Sequence, residues 1–165
     1  MIIRVATPAD AATLAAISLK TFVDTFAPHN TPADMDSYTS VAFTEEKQRR
    51  EIEAEGTITL LGEEDGEAIA YAQIRKTAGA PHGDVELARF YVDQPHHGRG
   101  IAQMLMDAVE THARVLGCTR IWLGVWEHNL RAITFYRKHG FVQRGAQPFL
   151  LGTDLQTDLV MNRPL

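Results

Sequence analysis

The sequence has few of the features of an exported or membrane protein. Cys118 is its only cysteine, so no internal disulfide can form, which is typical of proteins in a reducing compartment. No uncharged apolar run approaches the roughly 18 residues that a bilayer-spanning helix needs. Residues 1–4 lack the basic stretch and long apolar core that begin a secretory signal. We therefore expect a cytoplasmic protein with no membrane partner.

Positive charge is also scarce. The chain has 16 Lys and Arg against 21 Asp and Glu, which gives a formal net charge of −5. Broad binding to a nucleic-acid backbone needs a clustered basic surface, so we expect no nucleic-acid partner. The histidines form no metal-ligand pattern, because His96 and His97 are adjacent rather than one helical turn apart, and we expect no metal. An acidic balance agrees with a cationic substrate.

What the chain does have is the composition of a globular domain, with 45% hydrophobic and 22% charged residues. Its 165 residues are enough to bury one core. Thr7, Thr31 and Thr44 predict helix N-caps, and Gly117 predicts a helix end. The predicted strands are 2–5, 57–61, 68–74, 85–92, 120–126 and 155–161, and residues 142–154 carry no predicted element. This order indicates an α/β domain with a mixed sheet.

A glycine-rich turn joins the strand at 85–92 to a helix and reads His97-Gly98-Arg99-Gly100-Ile101-Ala102. Unpaired N–H groups at a helix start attract phosphate, and a Cβ at Gly98 or Gly100 would hinder the approach of a diphosphate. Arg99 can add a positive charge at the mouth of this site. The alternative is a turn that uses glycine for its geometry alone. A dinucleotide fingerprint would need glycine at Gln103, and a P-loop would need Lys after its last glycine, so both are excluded.

This turn and a second block resemble the GNAT N-acetyltransferases. The family's turn reads Gln or Arg, two residues, Gly, one residue, then Gly or Ala; Gly100 and Ala102 match it, and His97 departs from it at the first place. The second block, Asn-x-x-Ala-x-x-Phe-Tyr-x-x-x-Gly-Phe, is matched by Asn129, Ala132, Phe135, Tyr136, Gly140 and Phe141. The resemblance implies one GNAT-like α/β domain over residues 1–165, with a mixed central sheet of about seven strands, helices on both faces, and acetyl-CoA as cosubstrate.

Other segments resemble the bacterial PaiA-type spermine/spermidine N-acetyltransferases; they include residues 21–22, 42–47, 121–127 and 156–159. This resemblance implies transfer of the acetyl group to a primary amine of a small acceptor, such as the polyamines spermidine and spermine, by direct attack in a ternary complex. Another amine (an amino acid, an aminoglycoside or a protein N-terminus) and a non-catalytic acyl-CoA-binding regulator are the alternatives. Related enzymes are often dimers, so a homodimer is a further expectation.

The resemblance also implies where the cofactor lies. The pantetheine arm would pair with the strand at Phe90, Tyr91 and Val92, so that an N–H near Phe90 faces the oxyanion. The expected cofactor-binding residues are these three with His97, Gly98, Arg99, Gly100, Ile101, Ala102, Asn129 and Lys138. Lys138 would meet the adenosine 3′-phosphate, although a cation in the last helical turn equally suits the helix dipole.

Two residues are expected to move protons. Tyr136 follows Asn129 by about two helical turns and shares its face, which makes it our candidate acid for the departing thiolate; packing on the sheet is the alternative. Glu86 precedes Phe90 on the same face of an alternating strand and is our candidate base, with a surface carboxylate as its alternative. An acetylated Cys118 intermediate is disfavoured, because no histidine is spaced to activate the thiol.

The acceptor site is expected to contain Phe26, Tyr38, Trp126 and Glu127. Aromatic faces attract cations, and Glu127 supplies a second carboxylate beside Trp126. For Phe26, ordinary core packing is the alternative. These residues come from separate parts of the chain, so the expectation depends on the fold that the resemblance implies.

Overall fold

Seven strands form one mixed sheet in the computed structural model, which describes residues 1–76, 79 and 82–165. The strands are β1 Ile2–Val5, β2 Thr57–Glu64, β3 Glu67–Lys76, β4 Val85–Val92, β5 Arg120–Trp126, β6 Val142–Leu151 and β7 Asp154–Pro164. Their order across the sheet is β1-β2-β3-β4-β5-β7-β6, and only the β4–β5 pair is parallel. The prediction of a mixed sheet of about seven strands is confirmed.

Five α-helices occur in these described ranges: α1 Ala11–Phe26, α2 Pro32–Ala42, α3 Glu45–Glu53, α4 Ile101–Val115 and α5 Leu130–Lys138. Two start at the threonine caps that the sequence predicts. The Thr31 hydroxyl accepts a hydrogen bond from the N–H of Asp34, and the Thr44 hydroxyl accepts one from Lys47, each at 3.2 Å. Within the described residues, no helix combines the length and the apolar character that crossing a bilayer requires.

Helices cover both faces of the sheet. On one face Leu14 of α1 packs with Tyr71 of β3. On the other face Leu105 of α4 lies in a larger core cluster. Leu60 and Leu61 of β2 belong to these two different clusters, because successive side chains of a strand point to opposite faces. The central strands are therefore buried from both sides, as the resemblance implies.

The last hairpin differs from the sequence prediction. Residues 142–154 carry no predicted element, yet β6 pairs with β7 along its length. Gly145 and Pro148 mask the strand pattern, since both residue types are disfavoured in strands. β6 lies at the edge of the sheet, where a strand needs hydrogen bonds on one side only and proline is tolerated.

A β-bulge in β4 changes which of its residues share a face. The β3–β4 register shifts after Gln73, so that the next β3 residue pairs with Leu87 and Ala88 is left extra. Because of the bulge, Leu87 and Phe90 both pack against the α4-side core although they are three positions apart. Glu86 therefore lies on the face opposite Phe90. The prediction that Glu86 and Phe90 share a face is wrong, because an unbroken alternation does not continue through the bulge.

Candidate active site

Strands β4 and β5 separate and open a cleft in the sheet. In the described part of the chain they pair only at Val85 with Ile121 and at Glu86 with Trp122. Beyond these pairs, the β4 edge that faces β5 has no neighbouring strand among the described residues, and its backbone groups are available to a ligand. Two cavities open here: a loop cavity of about 560 Å³ beside the glycine turn at 97–102, and an aromatic cavity of about 150 Å³ beside Trp126.

The glycine turn has an open geometry. Gly98 and Gly100 have φ angles of +78° and +79°, which residues with a Cβ rarely adopt. A Cβ on either glycine would meet no protein atom within 4 Å, so the space beside the turn is free. Helix α4 begins at Ile101, and the N–H of Met104 donates to the carbonyl of Gly100 at 3.2 Å. The N–H groups before Met104 lie at the loop cavity without a helical partner, which suits them to hold a diphosphate.

The loop cavity brings together most of the residues that we expect to bind the cofactor. Its walls come from α1, β4, the glycine turn with the residues just before it, the start of α4 and one face of α5. The expected residues that line it are Phe90, Tyr91, Val92, His97, Gly98, Gly100, Ile101, Ala102, Asn129 and Tyr136. A cavity that is apolar along β4 and rich in backbone N–H groups at the turn fits a pantetheine arm ending in a diphosphate.

Two of the expected cofactor residues lie outside this cavity. The guanidinium of Arg99 turns toward the β2–β3 hairpin and donates two hydrogen bonds of 2.9 Å to Glu64. The prediction that the Arg99 side chain adds its charge to the mouth of the site is thus corrected, since the sequence does not show this distant acidic partner. Lys138 is exposed near the end of α5 and is not part of the cavity wall. Its contact with the adenosine 3′-phosphate stays a prediction.

Arg131 is a cation of the loop cavity that sequence reasoning missed. Its guanidinium bonds to Nδ1 of His97, whose Nε2 lies 2.6 Å from the carbonyl oxygen of Val92. Burial lowers the pKa of His97, so the neutral ring donates from Nε2 to Val92 and accepts at Nδ1 from Arg131. His97, which departs from the family pattern, thereby holds an arginine beside the turn. The signal for Arg131 in the sequence was its position in the first turn of α5, where the helix dipole disfavours a cation.

Tyr136 lies between the two cavities and lines both of them. Helix α5 positions this side chain: the Asn129 side-chain oxygen caps the helix by accepting from the N–H of Ala132 at 3.1 Å. Tyr136 is 7% exposed, and its ring packs edge-on against Phe90 at 6.1 Å between centroids. Burial raises the pKa of the Tyr136 hydroxyl, so it stays protonated at neutral pH and is a donor rather than an acceptor of protons.

The aromatic cavity contains three of the four residues expected at the acceptor site: Phe26, Tyr38 and Trp126. Phe22 stacks between two of them, with ring centroids 4.4 Å from Phe26 and 4.8 Å from Tyr38. Phe26 also contacts Trp126 at 5.5 Å. These rings come from α1, α2 and β5, and together they form the wall that faces Tyr136.

Asp158 of β7 is a second residue that sequence reasoning missed. It lies opposite Trp126 in the β5–β7 ladder and lines the aromatic cavity. Burial raises the pKa of its carboxyl group to about 6. The available signal was an aspartate near the middle of a strand, where this residue type is uncommon.

Arg89 also reaches the wall of the aromatic cavity, but its charge is already paired. Its guanidinium donates to Glu51 at 2.5 Å and 3.2 Å and to Gln48 at 2.9 Å. Arg89 and Glu51 thus form a neutral pair behind the aromatic wall. The net charge that the cavity presents to an acceptor is then set by Asp158.

Neither of the expected carboxylates lines a cavity. Glu86 forms an ion pair with Arg75 at 3.1 Å on the far face of β4, away from Phe90. Glu127 is exposed beside His128, with 3.8 Å between Oε1 of Glu127 and Nε2 of His128. Cys118 is buried outside both cavities, and burial raises the pKa of its thiol, which makes a thiolate nucleophile less accessible.

Comparisons with known proteins agree with this geometry. Residues 21–141 match the family model described as “Acetyltransferase (GNAT) family”. The chain is 33% identical over 155 residues to an uncharacterized N-acetyltransferase of Lactobacillus delbrueckii subsp. lactis, covering 91% of this chain and 89% of the relative. It is 35% identical over 69 residues to the spermine/spermidine N(1)-acetyltransferase of Bacillus subtilis strain 168, covering 41% and 45%. The crystal structure of PaiA N-acetyltransferase from Thermoplasma acidophilum in complex with coenzyme A has a TM-score of 0.83 at 20% identity, with both chains fully covered.

The family match spans well over half of the chain, and the Lactobacillus relative is similar along nearly its whole length. The similarity to the Thermoplasma structure extends the agreement to the complete fold. These findings confirm the resemblance that the glycine turn and the Asn129 block carry. The chain belongs to the GNAT acetyltransferase family and is an acetyl-CoA-dependent N-acetyltransferase.

Proposed function

We propose that this enzyme transfers the acetyl group of acetyl-CoA directly to a primary amine of a small cationic acceptor, and that a polyamine such as spermidine or spermine is the first class to test. The observation that carries the proposal is the position of Tyr136. Its side chain belongs to the loop cavity and to the aromatic cavity at once, so a group bound in one cavity meets a group bound in the other at this residue.

The loop cavity would hold acetyl-CoA through the protein's own backbone. N–H groups at the turn around Gly98 and Gly100 and at the start of α4 would bind the diphosphate, with the charge of Arg131 beside them. The β4 edge at Phe90–Val92, which lacks a partner strand among the described residues, would pair with the amides of the pantetheine arm. A backbone N–H near Phe90 would then donate to the carbonyl oxygen as it gains charge.

Tyr136 would assist departure of the sulfur. In the reaction the amine nitrogen forms a bond to the acetyl carbon, the carbon–sulfur bond breaks, and the thiolate takes a proton from the phenol. A nitrogen proton released on amide formation restores the phenol, so the residue ends unchanged. Burial keeps the hydroxyl protonated and ready to donate before the reaction begins.

A polyamine is supported by the chemistry of the aromatic cavity. Aromatic rings attract cations, and Asp158 supplies negative charge in the same space. The spermine/spermidine N(1)-acetyltransferase of Bacillus subtilis is similar to this chain over 69 residues, which supports the same acceptor class. A cytoplasmic location and a homodimer stay predictions.

An amino acid is the second candidate acceptor, and Arg89 is the observation that favours it. Its guanidinium lines the aromatic cavity together with Asp158. A molecule with an ammonium group and a carboxylate could place its ammonium group at Asp158 and share Arg89 with Glu51, whereas a polyamine would use Asp158 alone.

A screen of thiol release from acetyl-CoA tests the proposal. The panel pairs spermidine and spermine with amino acids, an aminoglycoside and a peptide N-terminus. We expect release with small cationic amines and the highest kcat/KM with a polyamine. Higher kcat/KM with amino acids would overturn the polyamine assignment, and absence of release with every amine would overturn the proposal of small-amine transfer.

A further inference from the structure

We infer that Asp158 holds the ammonium group of the acceptor and takes its proton before attack, the role that the sequence pattern gives to Glu86. The inference rests on the proposed function and deepens it, because it names the residue that selects a cationic amine. Four observations carry it: the place of the carboxylate, the free space above it, its lack of a partner among the described residues, and the charges around it.

The carboxylate lies within the acceptor's reach. Asp158 pairs in register with Trp126 of β5 and with Gln147 of β6, and it lines the aromatic cavity together with Tyr136. An acceptor nitrogen in this cavity is thus in a space lined by both Asp158 and Tyr136.

Gly124 keeps the space beside this carboxylate open. A Cβ at Gly124 would stand 3.2 Å from Oδ2 of Asp158 and 2.8 Å from Nε2 of Gln147. Gly124 itself lines the aromatic cavity. A side chain here would crowd the position from which an ammonium group approaches the carboxylate, so the glycine is a physical requirement for a site at Asp158.

Asp158 is a half-buried carboxylate without a protein partner in the part of the chain that the structure describes. No side chain or backbone group there donates a hydrogen bond to it, and no cation lies within ion-pair distance. By contrast, Glu51 is bonded to Arg89, and Glu86 pairs with Arg75. Burial of an uncompensated carboxylate is costly, and a bound ammonium group would relieve that cost.

The surrounding ionisable groups leave a net negative charge. Tyr38 of α2 and Tyr136 of α5 face the cavity as neutral phenols, as do Tyr71 of β3 and Tyr91 of β4. Arg89 of β4 is neutralised by Glu51 of α3. The rings of His29 and His128 flank Trp126 at 5.1 Å and 5.2 Å on its exposed side, and Glu127 lies beside His128. Asp158 therefore carries the uncompensated charge of the aromatic cavity.

The proton steps balance. The ammonium group loses one proton to Asp158, and the neutral nitrogen attacks the acetyl carbon. The sulfur gains a proton from Tyr136, the nitrogen loses its second proton to the Tyr136 phenolate as the amide forms, and Asp158 later releases its proton to water. With its pKa near 6, the Asp158 carboxylate is a stronger base than an ordinary aspartate and is still ionised at neutral pH.

The test compares Asp158→Asn with the wild-type enzyme, using two acceptors. Spermidine is protonated at neutral pH, whereas hydroxylamine is largely neutral. We expect kcat/KM for spermidine to fall by about 10²- to 10⁴-fold, which is the range for loss of a general base. The decrease of kcat/KM that we expect for the wild-type enzyme below about pH 6 should also disappear. The rate with hydroxylamine should stay within a few-fold of wild type. Glu86→Gln is the matched control carboxylate and should change neither rate.

Folding and cofactor binding are measured on the same variants. Removing an unpaired buried charge should leave the thermal midpoint of Asp158→Asn at pH 8 unchanged or higher, whereas loss of a merely structural residue would lower it. Calorimetric affinity for CoA should stay within about twofold. Gly124→Ala is a second variant, and we expect it to raise the KM for spermidine while CoA affinity is kept.

The outcomes separate this inference from the proposed function. If wild type acetylates spermidine and Asp158→Asn does so equally well, the role of Asp158 is overturned and the proposed function stands. An equal loss with spermidine and hydroxylamine would also overturn it, because the residue would then act on something other than the acceptor's proton. If wild type releases no thiol with any amine, the proposed function and this inference both fail.

Discussion

The two cavities that meet at Tyr136 differ in how far apart in the chain their lining residues lie. More than half of the residues that line the loop cavity come from one continuous stretch, from Phe90 through the glycine turn into α4. The aromatic cavity is lined by residues from α1, α2, β3, β4, β5, α5, β6 and β7, which are far apart in the chain. The difference teaches that, under the proposed function, cofactor binding depends largely on a local stretch of sequence, whereas acceptor choice depends on residues from many parts of the fold.

The largest effect is expected at Tyr136, which is one of the residues that line both cavities. Tyr136→Phe keeps the ring and its packing but removes the proton donor, so kcat should fall by about 10²- to 10⁴-fold. Affinity for CoA, measured by calorimetry, should change by less than about twofold. An unchanged kcat would show that the hydroxyl does not take part in the reaction.

Next in size is the effect of a side chain at the glycine turn. Gly100→Val places a β-branched residue at φ +79°, with its side chain in the path of the diphosphate, so affinity for CoA should fall on the order of tenfold or more. Gly66→Val is the matched control, since Gly66 has φ +83° and equally open surroundings in the β2–β3 turn. Equal CoA affinity in both variants would contradict the role of the turn.

A smaller effect is expected in the aromatic cavity, and it should change acceptor binding rather than CoA binding. Trp126→Ala removes an aromatic face worth roughly 1–2 kcal/mol to a bound cation, so the KM for a cationic acceptor should rise by about tenfold. CoA affinity should not change, which initial-rate kinetics and calorimetry would establish together. Trp126→Phe should recover part of the loss, and a change confined to CoA affinity would break the distinction between the cavities.

The smallest effect is expected for the cation that His97 positions. Arg131→Ala should weaken CoA binding by a factor of roughly three to ten, because one partly exposed charge near phosphate contributes modestly. The loss should shrink as salt is added, since screening already weakens this interaction in the wild type. Arg114→Ala is the control, because Arg114 lies in the last turn of α4, at the end of that helix away from the glycine turn. Equal affinities in the two variants at low salt would remove Arg131 from the cofactor site.

The distinction between local patterns and contacts of distant residues also explains what could be predicted from the sequence. The strands before the glycine turn, the helix caps at Thr31 and Thr44 and the turn itself are local patterns, and the structure has them where the sequence predicts them. β6 was hidden because an edge strand tolerates glycine and proline. The missed element lies in the half of the sheet that forms the acceptor side.

The face of β4 on which Glu86 lies was predicted wrongly for a related reason. Because Ala88 is an extra residue, the side chains that precede it in β4 point to the opposite face from the one that an unbroken alternation predicts. The hydrophobic pattern of the sequence does not show where such a bulge lies. Asp158 could not be chosen over other carboxylates, because its isolation becomes visible only when β7 is set beside Trp126. The position of Arg131 at the loop cavity likewise depends on its contact with His97, which the sequence does not show.

The short ladder between β4 and β5 has a mechanical consequence. In the described part of the sheet, only two β4–β5 residue pairs join the backbone of strands β1–β4 to that of strands β5–β7. Local opening should therefore begin there more readily than at the long β6–β7 ladder. A cofactor lying along the free edge of β4 would connect the two halves and stabilise the folded state by an amount that grows with the logarithm of its free concentration above Kd. Amide exchange in both strands should therefore slow, and the melting temperature should rise, as CoA is added.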